Sequence, residues 1–192
     1  MQLMEDMILR EGKVLPGGIL KVGSFLNQQI DPALLRAVGD EIAAMYEGKG
    51  TTKILTIESS GIAIAAAAGI AMGVPVLFAK KHKTSNVDGE VYKARVHSFT
   101  HGNDYDAVVS RDFLSSDDKV ILVDDFLASG NALKGLLKLS EEAGAEVLGA
   151  VVAIEKRFQG GGDELRAEGL RVDALALIES MDESGVTFGE IE

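Results

Sequence analysis

Val120-Ile121-Leu122-Val123-Asp124-Asp125-Phe126-Leu127-Ala128-Ser129-Gly130-Asn131-Ala132 is the stretch from which the rest of the chain can be read. Four apolar, mostly β-branched residues, Val120 to Val123, predict a buried central strand that stops at two carboxylates, Asp124 and Asp125. A loop of small residues follows, Ala128-Ser129-Gly130-Asn131, and then an amphipathic run to about Gly144. Strand, acidic pair, small-residue loop and helix form the layout that places ligands at the carboxyl end of a parallel sheet. Backbone N–H groups of such a loop, beside a helix N-terminus, cradle an anion. Ser129 adds a hydroxyl, and Gly130 lets the backbone approach a phosphate closely. Carboxylates repel phosphate, so Asp124 and Asp125 must face hydrogen-bond donors or a cation, and sugar hydroxyls and Mg²⁺ are the candidates. An isolated acidic pair after a strand is ordinarily a solvated turn; the small-residue loop behind it shifts the reading. Phosphate at one end and hydroxyls at the other describe a sugar phosphate.

Outward from this stretch, the chain alternates strand and helix. Residues 3–11 predict a short helix ended by Gly12, and residues 14–30 are irregular or short strand. Asp31 caps and Pro32 starts a helix whose apolar face is Leu34, Leu35, Val38, Ile42 and Met45. Lys53 to Ile57 predicts the first core strand, followed by the turn Glu58-Ser59-Ser60-Gly61 and an alanine-rich helix to Ala71. Gly73 closes that helix, and Pro75 to Ala79 forms the second strand. Residues 80–90 are polar and predict a mobile loop, carrying Lys80, Lys81, His82, Lys83, Asp88 and Gly89. Val91 to Phe99 alternates as a ribbon strand at its base, and Ala107 to Val109 is a further short strand. A helix over 131–143 and a strand over 146–154 complete a βαβ unit with a right-handed crossover. Gly160-Gly161-Gly162 reads as a flexible turn before a short helix near 163–168, and Val172 to Leu177 as a last strand. The fold class is therefore α/β with a mainly parallel sheet.

Composition sets the outer limits. A length of 192 residues suits one domain with a real core, and 26% charged with 46% hydrophobic residues is ordinary for a globular chain. With no cysteine, disulfides and cysteine-based metal sites or nucleophiles are excluded. No secretory leader and no apolar run of membrane-spanning length is visible, so the expectation is a cytoplasmic protein without a membrane partner. A net charge of −11 argues against nucleic-acid partners, whose binding rests on neutralised phosphates. His82, His97 and His101 make no metal-ligand spacing. Walker and dinucleotide-binding fingerprints are missing, and no nucleophile–base–acid set stands out.

The stretch 120–132 resembles the phosphoribosyl-pyrophosphate (PRPP) motif of type I phosphoribosyltransferases: an apolar strand, two acids, two apolar residues, then a small-Ser/Thr-Gly loop. The resemblance extends over nearly the whole chain, through Leu20-Lys21-Val22-Gly23-Ser24-Phe25-Leu26-Asn27-Gln28-Gln29-Ile30-Asp31-Pro32, Ile57-Glu58-Ser59-Ser60-Gly61-Ile62-Ala63, Val74-Pro75-Val76-Leu77-Phe78-Ala79-Lys80-Lys81-His82-Lys83 and Ile154-Glu155-Lys156-Arg157-Phe158-Gln159. The central motif identifies the superfamily, and the other segments narrow it to the subfamily that uses xanthine. The fold this implies is the type I phosphoribosyltransferase fold, a sheet flanked by helices with a small N-terminal and C-terminal hood over the base site. It implies a single domain over 1–192, with about 1–36 contributing to the hood, about 37–160 forming the core, and about 80–98 forming a flexible catalytic loop with its flanking strand.

By the same resemblance, Asp124 and Asp125 hold the ribose 2- and 3-hydroxyls, directly or through Mg²⁺, and Ala128, Ser129, Gly130, Asn131 and Ala132 hold the 5-phosphate. Glu58, Ser59, Ser60 and Gly61 become the pyrophosphate loop, where the family often has a strained or cis peptide. Lys80 or Lys81 contacts pyrophosphate; the family often has Arg at the first of these, and Lys80 offers a point charge in place of a bidentate fork. Read alone, this Lys-rich segment is a solvated surface patch, although in an acidic chain it also focuses an anion. Lys156 donates to the purine 6-oxo group, Phe158 stacks on the base, and Leu20 and Asn27 line the base pocket with Asn27 at a polar edge. Without the family, Lys156 is a strand-end lysine, Phe158 a core residue and Asn27 a loop residue. Hypoxanthine-guanine enzymes place Asp near purine N7 where this chain has Ala128. Xanthine is the most acidic common purine and needs less help losing its proton, so Ala128 fits it. The implied reaction is xanthine plus PRPP giving xanthosine 5′-monophosphate (XMP) and pyrophosphate, in a homodimer. The alternatives are a PRPP-binding, purine-responsive regulator of the same fold, or preference for guanine or hypoxanthine. A regulator needs a DNA-binding element, and the first 30 residues are too short and too little basic to supply one. A phospho-acceptor receiver domain also uses acidic pairs after strands, but explains neither the hood nor the Glu58 turn.

Overall fold

In the computed structural model, residues 1–81, 89–97 and 104–190 are described. Helix α1 (Gln2–Glu11) buries Met4, Met7 and Ile8 and ends at Gly12. A tight antiparallel ribbon follows, β1 (Lys13–Leu15) on β2 (Ile19–Lys21). One π-helical turn, Gly23–Asn27, then buries Phe25 and Leu26. Helix α2 (Pro32–Met45) starts as the sequence predicts. The Asp31 carboxylate accepts from Ala33 N at 3.0 Å and from Leu34 N at 2.8 Å, and Pro32 occupies the first turn. Asp31→Ala is expected to lower stability by about 1 kcal/mol, read in a thermal melt as a Tm drop of roughly 2–4 °C; an unchanged Tm would show that water replaces the cap at no cost.

The next units are β3 (Lys53–Ile57), α3 (Gly61–Met72, closed by Gly73 at φ 69°) and β4 (Val76–Ala79). An antiparallel ribbon, β5 (Val91–His97) with β6 (Asp104–Ser110), stands apart from the main sheet. The chain then re-enters that sheet with β7 (Lys119–Leu127), α4 (Asn131–Ala143), β8 (Glu146–Lys156), α5 (Gly161–Ala167), β9 (Val172–Asp182) and β10 (Gly185–Phe188). The six-stranded order is β10-β9-β8-β7-β3-β4, parallel except for β10 against β9. Side chains alternate along β7 and both faces are covered. Ile121 and Val123 join α1, α2, α3 and the segment Leu20–Leu26 in one core, while Val120 and Leu122 join α4 and the β5–β6 ribbon in a second. That two-sided burial is why Val120 to Val123 reads as an unbroken apolar run.

Four boundaries differ from expectation, each for a long-range reason. Strand β7 does not stop at Asp124 but runs to Leu127, because β8 continues beside it, pairing Phe126 with Ile154 and Leu127 with Glu155. The strand expected at 107–109 spans 104–110, drawn out by its antiparallel partner β5. Gly161 and Gly162 are buried within α5 and do not form a free turn. Strand β9 runs on to Asp182 and turns back into β10, an edge strand with no forecast in the sequence reading. Of the expected 80–98 loop unit, residues 82–88 and 98, with His82, Lys83 and Asp88, lie outside the described residues, as do Phe99 and His101. Among the described residues no helix is long and apolar enough to cross a membrane.

Candidate active site

At the carboxyl ends of β3, β7 and β8 lies a cavity of about 520 Å³. Strand β7 delivers Asp124 to its floor, and the flanking core leaves that side chain 6% exposed. Burial, then the adjacent Asp125 charge, holds the Asp124 carboxyl well above the ordinary aspartate pKa, with Lys81 pulling the other way. Asp125 N donates to Asp124 Oδ1 at 2.9 Å. Gly61, at the start of α3, closes in beneath: a Cβ there would overlap Thr56 and sit 3.1 Å from Asp124 Oδ1. Asp125 reaches toward the hood, and Asn27 Nδ2 donates to its Oδ2 at 3.1 Å. Asn27, expected at a purine edge, thus also ties the hood to the acidic pair.

The small-residue loop follows directly. Gly130 has φ 80°, the left-handed conformation that glycine adopts at least cost. Its carbonyl accepts from Lys134 N at 2.9 Å as α4 begins, and Asn131 Nδ2 donates to His97 O at 3.3 Å. The β5–β6 ribbon is thereby fastened to the helix that opens from this loop. Opposite lies the turn after β3, where the Glu58-Ser59 peptide is cis. Glu58 Oε1 accepts from Lys81 N at 2.6 Å, and Lys81 Nζ stands 5.3 Å from the Tyr105 ring centroid. Lys80 bridges to Val108 through its backbone N and O.

At the far end, Lys156 at the tip of β8 is half-buried, and that burial lowers its pKa. Its Nζ donates to Gly18 O at 2.9 Å and lies 5.3 Å from the Phe126 ring centroid. Leu20 and Asn27 line the cavity with Glu58, Ser59, Ser60, Lys81, Asp124, Asp125, the whole 128–132 loop and Lys156. Three expected residues do not line it. Lys80 is held on the ribbon bridge, Gly61 is packed beneath Asp124, and Phe158 is 46% exposed in the 3₁₀ turn Arg157–Gln159 beyond the strand. The aromatic ring on the wall beside Lys156 is instead Phe126.

Sequence alone assigns no site role to Tyr105, His97 or Gln159, all on the wall. Tyr105 arrives from the ribbon, and burial followed by the charges of Asp124 and Glu58 raises its pKa. Gln159 lines the cavity, and its Oε1 is buried with no partner among the described residues. An alternating strand hints at Tyr105 being inward, but nothing local marks Gln159. Chemically, the site offers hydroxyl-binding acids in the middle, an amide-rich anion loop on one side and a second Ser-bearing turn on the other. Lys156 and the Phe126 ring, side by side on the same lining, offer a donor and a flat apolar face.

Residues 27–170 match the phosphoribosyl transferase domain family. A protein named xanthine phosphoribosyltransferase from Oceanobacillus iheyensis is 47% identical over 190 residues, covering 99% of this chain and 98% of that protein. One of the same name from Heliobacterium modesticaldum is 48% identical over 188 residues, covering 98% and 100%. Among solved structures, the enzyme of Giardia lamblia titled APRTase complexed with 9-deazaadenine superposes with a TM-score of 0.76 at 24% identity, over 93% of this chain and 98% of that one. Adenine phosphoribosyltransferase from Rhodothermus marinus gives 0.73 at 18% identity, over 92% and 99%. At those identities the two structures speak for the fold.

Proposed function

The chain belongs to the phosphoribosyl transferase family, and from that premise we propose how its cavity works. The protein is a xanthine phosphoribosyltransferase of purine salvage, moving the phosphoribosyl group of PRPP onto xanthine N9 to give XMP and pyrophosphate. The observation that carries the site assignment is one cavity lining in which Asp124 and Asp125 are followed by the amide loop 128–132, with Lys156 from the neighbouring strand β8 on the same lining. In this reading the acids grip the ribose hydroxyls, the loop holds the 5-phosphate, and the 58–61 turn with Lys81 receives pyrophosphate. Lys80, outside the wall, assists through its charge at the mouth. Lys156 donates to the 6-oxo group, and Phe126 supports the base from its side.

The reaction is a displacement at ribose C1 through a ribosyl-cation-like transition state, and no covalent enzyme intermediate is needed. The chain therefore contributes orientation and electrostatics. The buried Asp124, whose pKa is raised by burial and by the adjacent Asp125, suits ligands that bring positive charge or O–H donors, because either one favours its anion. The pair fits Mg²⁺ on the same ground. A hard cation that keeps most of its ligands from substrate oxygens and water needs only one or two carboxylates, and no group of three or more potential ligands occurs among the described residues. Asp124 and Asp125 would hold it, and when bound it supplies neutralisation of the departing pyrophosphate. The family resemblance supports a cytoplasmic homodimer as the working form, and a net charge of −11 speaks against a DNA-bound regulator.

Purified protein with PRPP and Mg²⁺ is expected to form XMP and release pyrophosphate faster with xanthine than with guanine or hypoxanthine, and not with adenine. Tight PRPP binding with no nucleotide from any purine would favour the regulator instead. A higher kcat/KM with guanine or hypoxanthine would reassign the base.

A further inference from the structure

Among the described residues two charged side chains are buried, Asp124 in the cavity and Glu155 outside it. Glu155 is 0% exposed and sits on β8 immediately before Lys156. The two side chains diverge: Lys156 turns toward the hood and Phe126, while Glu155 turns under α5. There it meets Arg166 in a bidentate pair, Nη1 to Oε1 at 2.8 Å and Nη2 to Oε2 at 2.6 Å. The same guanidinium donates to Val172 O, from Nη2 at 3.1 Å and Nε at 3.3 Å. A pair of this kind, with Glu155 buried and Arg166 half-buried, is weak evidence for stability, since removing the carboxylate from water offsets much of the attraction. Its geometry points to a different use. Arg166 lies in the last turn of α5, and the first turn of that helix is pressed onto the phosphate loop. Gly161 N donates to Ala128 O at 3.1 Å, and a Cβ on Gly161 would overlap the backbone of Ala128, Ser129 and Gly130. A Cβ on Gly162 would overlap the Glu155 carboxylate itself. Loop, helix and ion pair are therefore stacked without a side chain between them.

We propose that Glu155 and Arg166 are positioning residues, a clamp that fixes the start of α5 against residues 128–130 and so presets the amide cradle for a sugar 5-phosphate. The inference rests on the phosphoribosyltransferase reading of the cavity. A cradle of backbone amides has no long side chains to adjust, so its affinity depends on where its backbone is held. Arg166 also cancels the charge of Glu155, which would otherwise stand unpaired beneath a site for a dianion.

The test is the double variant Glu155→Leu with Arg166→Met, since apolar replacement of both partners commonly preserves folding. The ribose 5-phosphate Kd by calorimetry and the KM for PRPP are each expected to rise about tenfold, while the KM for xanthine stays within about twofold. Should the double variant fail to fold, Arg166→Lys, which keeps the charge but loses the fork, is expected to raise both phosphate parameters about threefold. A folded variant with ribose 5-phosphate Kd and PRPP KM near wild type overturns the clamp. So does a parallel rise in the xanthine KM, which marks general damage. A wild type that binds ribose 5-phosphate but makes no XMP would sink the functional reading alone, and the Kd ratio would still decide the clamp. A wild type that binds no ribose 5-phosphate sinks both.

Discussion

Replacing Asp124 and Asp125 together by asparagine is expected to lower kcat/KM for XMP formation by about a thousandfold or more, because charges aimed at a developing ribosyl cation are the largest single contribution such a site makes. The introduced amides still accept hydrogen bonds, and the amide oxygen at position 124 would keep the contact from the neighbouring backbone N–H, so the loss reports charge and not shape. The pH profile separates the two acids. Burial first and Asp125 second raise the Asp124 pKa, so the acid limb of kcat/KM in the free enzyme should lie above the ordinary aspartate range. Asp125→Asn removes the second cause, and the limb should move to lower pH. Stability runs opposite to activity. Between the unfolded aspartate pKa and the raised folded value, the native state holds a proton that the unfolded chain has lost. Stability therefore falls as pH rises through that window. Asp124→Asn should consequently raise Tm at neutral pH while removing catalysis, each kcal/mol of relief appearing as roughly 2–4 °C. A double variant with wild-type turnover would end the assignment of this pair to ribose.

The parts of this site that were legible in the sequence are those decided locally. Asp31-Pro32 announces a helix start because capping chemistry involves only the next three residues. Val120 to Val123 announces a strand covered on both faces, and the small residues after it announce a loop that opens α4. The end of β7 was not legible, since its extension past the acids depends on β8, some thirty positions downstream. Phe126 and Phe158 are alike in sequence, each near a site residue, and only the 3₁₀ turn that swings Phe158 outward separates them. Three consecutive glycines read as slack. Two of them are instead tightly packed, a difference visible only once Glu155 and the loop at 128–130 are placed around them. Tyr105 reaches the cavity through a ribbon whose partner strand begins at Val91, and the Glu155–Arg166 pair joins a strand to a helix with no local signature.

Lys156→Met should cut kcat/KM for xanthine by about a hundredfold, close to the upper range for a hydrogen bond to a charged group. For hypoxanthine, which presents the same 6-oxo group without comparable acidity, the expected loss is about tenfold, nearer to that of an ordinary hydrogen bond. Methionine keeps the apolar stem over Phe126 while removing both the donors and the charge. One of the three ammonium donors is committed to Gly18 O, which leaves two for the base. Burial lowers the Lys156 pKa, so the ammonium loses its proton earlier than a solvated lysine as pH rises. The alkaline limb for xanthine should come correspondingly early. Lys156→Arg holds its charge throughout that range and should shift the limb upward, even if its planar head lowers the maximum rate. Selectivity is then an electrostatic difference between substrates: the cation favours a base that carries negative charge over one that does not. Equal losses for xanthine and hypoxanthine in Lys156→Met would mean that the lysine reads the shared oxygen only, and that xanthine is chosen elsewhere on the wall, where Asn27 and Gln159 are further polar residues.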